Sequence, residues 1–148
     1  MKKILIGLGL VFLLSIVVFI AFCGFAFFQA NKMMPTAQNF IDDFYKQLDN
    51  QNYGYIYNQL TDEKFRNSIS YENFEKMMKS VYQKLGKIKD IKKGAWKLNY
   101  MTDGTYFNIQ YTTTRGKGAA VESFTLKQYG ESWRLIFYNI NSQALLNP

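Results

Sequence analysis

An uncharged, largely apolar run from Ile4 to Phe28 constrains this chain more than any other feature of its sequence. A helix needs roughly 20 apolar residues to cross the hydrocarbon core of a bilayer, and this run is long enough to do so with some tilt. We therefore predict that residues 1–31 form an N-terminal membrane anchor, with a transmembrane helix over about residues 4–28.

The lysines that flank the run indicate how the anchor is oriented. Lys2 and Lys3 precede it, and Lys32 follows it. Because positive charge near a span favours the cytoplasmic side, the N-terminus is expected in the cytoplasm and residues 32–148 on the far side. The lipid bilayer is thus the first partner that the sequence predicts.

Two forms of processing compete with an intact anchor. A cleaved signal peptide has an apolar region of roughly 7–15 residues and small residues at the cleavage site, where this chain has Phe28. Residues 20–24 resemble the lipid-attachment motif of lipoproteins, but bulky Phe22 stands where that motif needs a small residue. Lipidation at Cys23 is therefore disfavoured, and Cys23 is expected to be a small apolar residue facing lipid or a neighbouring helix.

Missing residue types exclude several classes of enzyme. The chain has no histidine, and its one cysteine is Cys23. These absences remove the usual general base near neutral pH, the commonest metal ligand, and every Ser-His or Cys-His nucleophile. The sequence also shows no phosphate-binding loop and no metal-ligand motif. We therefore predict no metal, no cofactor and no enzymatic activity.

Apolar residues recur at helical spacing through residues 35–85. Pro35 suits the first position of a helix that ends near Asp49, since its missing N–H costs nothing there. Residues 53–60 predict a short second helix. Ser70 is placed to cap a longer helix, which Gly86 stops.

Beyond residue 86 the helical spacing gives way to alternation. Trp96, Leu98 and Tyr100 alternate with polar residues, and Asp103-Gly104 signals a hairpin. Further strands are predicted over residues 107–111, 119–129 and 132–140. Helices first and sheet second predict an α+β fold, with about three helices packed on a curved four-stranded antiparallel sheet. Aromatic residues make up 18% of the chain, which suits one folded domain over residues 32–148.

The element order over about residues 35–141 resembles the nuclear-transport-factor-two-like (cystatin-like) superfamily. The residues that carry the likeness are Phe40 and Phe44 on the first helix, Phe74 on the longer one, and Trp133 opening the last strand. The resemblance implies a cone-shaped roll. It extends to small membrane-anchored bacterial envelope proteins, which implies a single-pass protein of the bacterial inner (cytoplasmic) membrane with an extracytoplasmic domain.

The same superfamily includes isomerases and dehydratases as well as non-catalytic binding and scaffold domains. The layout is similar to that of an inner-membrane scaffold subunit of type IV secretion systems, which also has one N-terminal span and a periplasmic roll. Because one fold serves many functions, the resemblance bears on the fold more than on the function.

Lysines crowd the segment that joins the long helix to the first strand. They are Lys84, Lys87, Lys89, Lys92, Lys93 and Lys97, interrupted by one acidic residue, Asp90. One interpretation is an electrostatic patch for anionic lipid, an anionic envelope polymer or an acidic partner protein. The other is a solvated helix end and edge strand, whose lysines discourage aggregation between strands.

Nucleic acid is a weaker candidate partner for this charge. The net charge of +7 includes Lys2, Lys3 and Lys32, and subtracting these three leaves +4 for the rest of the chain. A domain beyond the membrane would rarely meet DNA. The alternation of aromatic and basic residues at Trp96-Lys97 and Trp133-Arg134 is what any half-buried strand produces.

One carboxylate is predicted to face the interior. Glu122 shares a predicted strand face with two apolar residues, so it would point into a pocket and have a raised pKa. Asp90 and Tyr111 are the other predicted lining residues. A carboxylate on an apolar face more often pairs with a cation than performs catalysis, and Arg134 on the neighbouring strand is the expected partner.

These observations favour a non-enzymatic envelope protein that binds or scaffolds another envelope component through its sheet face or basic segment. The alternative is a small-ligand-binding or catalytic roll with Glu122 in its pocket. A third hypothesis is assembly through the anchor itself, where Ala26 and Ala30 form a small-residue pair. An open pocket would favour the second hypothesis, and an interior filled by large side chains would favour the first.

Overall fold

The computed structural model describes the backbone of residues 2–146 and the side chains of residues 14–24 and 33–146. The first helix, α1, runs over Lys2–Asp49 and contains Pro35. By its internal contacts the chain divides at this proline into two compact units, Met1–Pro35 and Thr36–Pro148. The predicted start of a helix at Pro35 is wrong, because the helical backbone continues through that residue.

In the N-terminal unit the apolar side chains within residues 14–22 are exposed, among them Val17, Phe19 and Phe22. Cys23 is exposed as well. Among the described residues, no helix combines the length and the apolar character needed to cross a membrane. The side chains at the predicted ends of the span, Ile4 and Phe28, lie outside the described residues, as does the pair Ala26 and Ala30.

The second unit contains one four-stranded antiparallel sheet. Its strands are β1 (Ile88–Met101), β2 (Gly104–Arg115), β3 (Gly118–Tyr129) and β4 (Ser132–Asn141). They pair in the order β1-β2-β3-β4, so each strand lies next to its sequence neighbour. The predicted α+β class and the four-stranded antiparallel sheet are therefore confirmed, with β1 beginning eight positions before the predicted Trp96.

Short helices connect α1 to the sheet. They are α2 (Tyr53–Tyr55), a π-helical turn (Ile56–Leu60), α3 (Glu63–Ser68) and α4 (Tyr71–Leu85). Ser70 caps α4 by accepting a hydrogen bond from Asn73 N, as predicted. Gly86 ends α4 with φ +75°, a conformation that favours glycine. A last helix, α5 (Gln143–Leu146), follows the sheet.

The core lies between the inner face of the sheet and the residues of α1 beyond Thr36. Phe44 of α1 is fully buried, and its ring packs edge-on against Phe124 at 5.1 Å between centroids. It also lies 5.3 Å from the ring of Tyr138, while Tyr45 packs against Tyr111 at 5.8 Å. Large aromatic side chains therefore fill the space between helix and sheet, where such pairs add to the energy of burial.

The two edges of the sheet differ. Beside β4, Asp62 N donates a hydrogen bond to Leu135 O at 3.0 Å, and Arg134 donates to the carbonyl of Gln59. Tyr129 Oη adds a hydrogen bond to the Asp62 carboxylate. Within residues 2–146, β1 pairs with β2 alone, and no strand lies along its other side. The sheet is thus partly closed at β4 and open at β1.

Candidate functional site

Glu122 lies in the core rather than in an open pocket. Its side chain and that of Arg115 are both completely buried, and Arg115 Nη2 lies 2.6 Å from Glu122 Oε1. Arg115 ends β2, and Glu122 sits on the adjacent strand, so the sheet itself brings the two charges together. The prediction that Arg134 is the partner of Glu122 is wrong. Arg134 pairs in register with Lys127, and its guanidinium donates to the carbonyl of Gln59.

Hydroxyl groups complete the bonding of this carboxylate. Thr113 Oγ1 donates to Glu122 Oε1 at 2.7 Å, and Tyr138 Oη donates to Glu122 Oε2 at 2.8 Å. Burial alone would lower the pKa of Arg115, but the neighbouring Glu122 carboxylate raises that pKa above its usual value. The Arg115 guanidinium therefore stays charged, and each oxygen of the Glu122 carboxylate has a hydrogen-bond donor. Through these bonds the carboxylate on β3 is joined to Arg115 and Thr113 of β2 and to Tyr138 of β4.

The other two predicted lining residues do not join Glu122 in one pocket. Tyr111 is buried beside it on β2, but its hydroxyl donates to Gln38 Oε1 at 2.9 Å. Asp90 is exposed on β1, where it pairs in register with exposed Thr114 and so faces the outer side of the sheet. The three residues therefore occupy three different environments, and their functional roles stay predictions.

Core tyrosines make the fold sensitive to alkaline pH. Burial raises the pKa of Tyr111 to about 12 and, together with the charge of Glu122, raises the pKa of Tyr45 and of Tyr138 further. The unfolded value is about 10, so the stabilisation is complete below that pH and is lost as the pH rises through the folded values. We expect the unfolding free energy to fall above pH about 10.

A joint titration of tyrosinate absorbance and circular dichroism checks this expectation. Part of the absorbance rise should appear together with the loss of ordered structure, because the buried tyrosines ionise only when the core opens. Tyr45→Phe removes one ionising group and should make the pH dependence shallower. Complete ionisation of all tyrosines with the circular dichroism unchanged would contradict the prediction.

Five of the six predicted lysines lie on β1 or just before it, at the open edge of the sheet, whereas Lys84 lies near residues 138–140 of β4. Lys84 lies in the last turn of α4 and donates to Leu145 O, and Lys87 precedes β1. The other four belong to β1 itself. We call the five lysines at this edge the basic edge: Lys87, Lys89, Lys92, Lys93 and Lys97. The interpretation as an edge strand is confirmed, because β1 is the terminal strand of the sheet.

A bulge in β1 decides which lysines share a face. The register shifts between Lys93 and Trp96, across Gly94 and Ala95. Lys92 pairs with Thr112, and Lys97 pairs with Asn108, so both lysines face the outer side of the sheet. An odd spacing of five would place them on opposite faces of a regular strand. The bulge therefore groups two charges that simple alternation would separate.

The same bulge places two apolar side chains of β1 together on the inner side. Ile91 pairs with buried Thr113, and Trp96 pairs with buried Ile109, yet the two remain 39% and 47% exposed. A groove of about 470 Å³ opens here between α1 and the start of β1. It is lined by Asp42, Tyr45, Lys46, Asp49 and residues 88–91. The inner side of β1 is therefore only partly covered, and Lys93, which pairs with buried Tyr111, lies there between Ile91 and Trp96.

Sequence reasoning missed the buried partners of Glu122. The sequence pattern suggests a turn at Arg115, although this residue ends β2 and pairs in register with Gly118. The signal that could have found it is the spacing of Tyr111, Thr113 and Arg115, which alternation places on the face of Glu122 once the strand is extended.

Comparison with known proteins identifies a family. Residues 41–138 match the sequence model of a family described as "Protein of unknown function (DUF4019)". No curated protein sequence matches the chain.

Two solved structures are similar in part. Bd1075 of Bdellovibrio bacteriovorus has 16% identity and a TM-score of 0.49, over 72% of this chain and 39% of that one. Aln2 of a Streptomyces species has 13% identity and a TM-score of 0.49, over 76% of this chain and 92% of that one. The chain thus spans well under half of Bd1075.

Proposed function

Since this chain belongs to the DUF4019 family, whose description assigns no activity, we propose from its own geometry a single-pass, membrane-anchored envelope protein that binds or scaffolds another envelope component. In this proposal residues 1–31 are an uncleaved anchor in the bacterial inner membrane. Residues 32–148 form an extracytoplasmic roll like that of the nuclear-transport-factor-two-like superfamily. The domain acts by binding another envelope or membrane protein and performs no catalysis.

The observation that carries the proposal is the filled interior around Glu122. The carboxylate is fully buried and accepts bonds from Arg115, Thr113 and Tyr138. Aromatic rings pack over it from α1, with Phe44 fully buried. A ligand-binding or catalytic roll needs an accessible polar group in a cavity. The geometry therefore gives less support to the alternative of a pocket carboxylate than to an interaction module.

The anchor and the roll have separate supports. The run from Ile4 to Phe28 supports the anchor by its length and lack of charge. Helices followed by a four-stranded antiparallel meander, with aromatic residues of α1 facing the sheet, support the roll. Protease added outside spheroplasts should digest residues 36–148 of the full chain. Protection of those residues would contradict the extracytoplasmic placement.

Crosslinking in intact membranes tests the binding function. The full chain is compared with two variants: one whose residues 1–31 are replaced by an unrelated single span, and one that retains the anchor but lacks residues 36–148. We expect the same partner with the full chain and the anchor swap, and none with the anchor alone. Recovery by the anchor alone would favour assembly through the span. Recovery by none of the three would overturn the proposal.

A further inference from the structure

We propose that the open edge of the sheet binds an extended acidic segment of a partner protein, which adds to β1 as a fifth strand. This inference rests on the proposed binding function and names its partner chemistry. An edge strand offers N–H and C=O groups along its free side, and an incoming peptide can satisfy them by backbone pairing. Within residues 2–146 this side of β1 carries no paired strand, whereas β4 is flanked by Asp62.

The side chains of β1 specify the character of such a strand. On the outer side, Lys92 and Lys97 would stand next to side chains of the added strand, which favours Glu or Asp there. On the inner side, half-exposed Ile91 and Trp96 would be covered by apolar side chains, with Lys93 between them on the same side. Because alternate residues of a strand face opposite sides, the predicted segment alternates acidic and apolar residues.

A second copy of this chain fits the edge poorly. Pairing two β1 strands would set a lysine-rich strand beside another one, and like charges next to each other destabilise a sheet. The lysines that oppose self-pairing are the ones that favour an acidic strand, so the edge selects its occupant by charge. The groove between α1 and residues 88–91 leaves room beside β1 for side chains of that occupant, and α1 contributes Asp42, Lys46 and Asp49 to its lining.

Titration of the full chain in nanodiscs with labelled peptides tests the inference. The probe is a ten-residue peptide that alternates Glu and Val. A Lys-Val peptide is the charge control, and a Glu-Val peptide N-methylated at alternate residues is the backbone control. We expect only the unmodified Glu-Val peptide to bind, and its affinity to fall with salt. Equal binding of the Lys-Val peptide, or of the N-methylated peptide, would overturn strand addition by an acidic segment.

Charge reversal on the edge provides the matched variant. Lys92→Glu/Lys97→Glu changes two exposed side chains and should weaken binding of the Glu-Val peptide by about tenfold or more, because like charges then face each other. Lys64→Glu/Lys76→Glu makes the same change in charge on the exposed surfaces of α3 and α4 and should leave the affinity unchanged. An equal loss of affinity in both variants would mean that the net charge alone determines binding, and it would overturn the proposed site.

Hydrogen exchange locates the bound peptide. Amides of residues 90–97 should become protected when the Glu-Val peptide is added, while those of β4 should not change. Protection at β4 instead of β1 would overturn the inference.

The crosslinking experiment separates the two proposals. Suppose that the domain recovers a partner and that Lys92→Glu/Lys97→Glu does not change this recovery. Strand addition would then be overturned, and the proposed function would stand. Absence of any crosslinked partner would overturn the proposed function alone, because the peptide titration tests separately whether β1 binds an acidic strand.

Discussion

Replacing Arg115 with Met is expected to lower the free energy of unfolding by about 3–5 kcal/mol, since breaking a buried ion pair leaves an uncompensated charge in the core. Glu122 would then keep only the hydroxyls of Thr113 and Tyr138 as donors. Denaturant unfolding of the full chain in micelles, followed by circular dichroism, measures the loss. A loss below about 1 kcal/mol is typical of a solvent-exposed ion pair and would contradict the burial of Arg115 and Glu122.

The double variant Arg115→Met/Glu122→Leu is the control for this experiment. It removes both charges, and apolar replacement of a buried pair is often close to neutral. Part of the loss should remain, because Thr113 and Tyr138 each lose their acceptor. The double variant should therefore be more stable than Arg115→Met alone. Glu122→Leu alone completes the comparison. If the loss of unfolding free energy in the double variant equals the sum of the losses in Arg115→Met and Glu122→Leu, the two side chains are not coupled.

Replacing Phe44 with Ala is the second change with a large expected effect, about 3–5 kcal/mol of unfolding free energy. The Phe44 ring is fully buried and touches the rings of Phe124, Tyr138 and Tyr45, so its loss leaves a cavity between α1 and the sheet. Denaturant unfolding again gives the measurement.

Phe137→Ala provides the matched control for Phe44. Phe137 is 55% exposed on β4, so the same truncation there should change the unfolding free energy by no more than about 0.5 kcal/mol. Similar losses in the two variants would contradict the assignment of Phe44 to the centre of the core. A smaller loss for Phe44→Leu than for Phe44→Ala is expected, because Leu fills part of the cavity.

The class of the fold could be predicted because its signals are local. Ser70 and Gly86 mark the two ends of α4 through backbone hydrogen bonding and a positive φ. Asp103-Gly104 marks the first hairpin, since this pair suits a tight turn. The inward direction of Glu122 followed from alternation alone. Each of these inferences needs only a few neighbouring residues.

What could not be predicted depends on register and on packing at a distance. Thr61 and Asp62 stand side by side before α3, and both residue types can cap a helix. Asp62 accepts the hydrogen bond from Phe65 N, while Thr61 donates to Tyr57 O. Arg115 could be identified as the partner of Glu122 only if β2 was known to extend to residue 115. A sequence pattern places the end of a strand only to within several residues. The grouping of Lys92 with Lys97 depended on a bulge that reverses the alternation of β1.

The hydrogen bond between Trp133 Nε1 and Thr36 Oγ1 joins residues that are 97 positions apart. During synthesis a ribosome adds about 5–20 residues per second, so Thr36 is added roughly 5–20 s before Trp133. Until then the apolar side of residues 36–49 has no sheet to cover it. The helix made first is thus among the last elements to be buried.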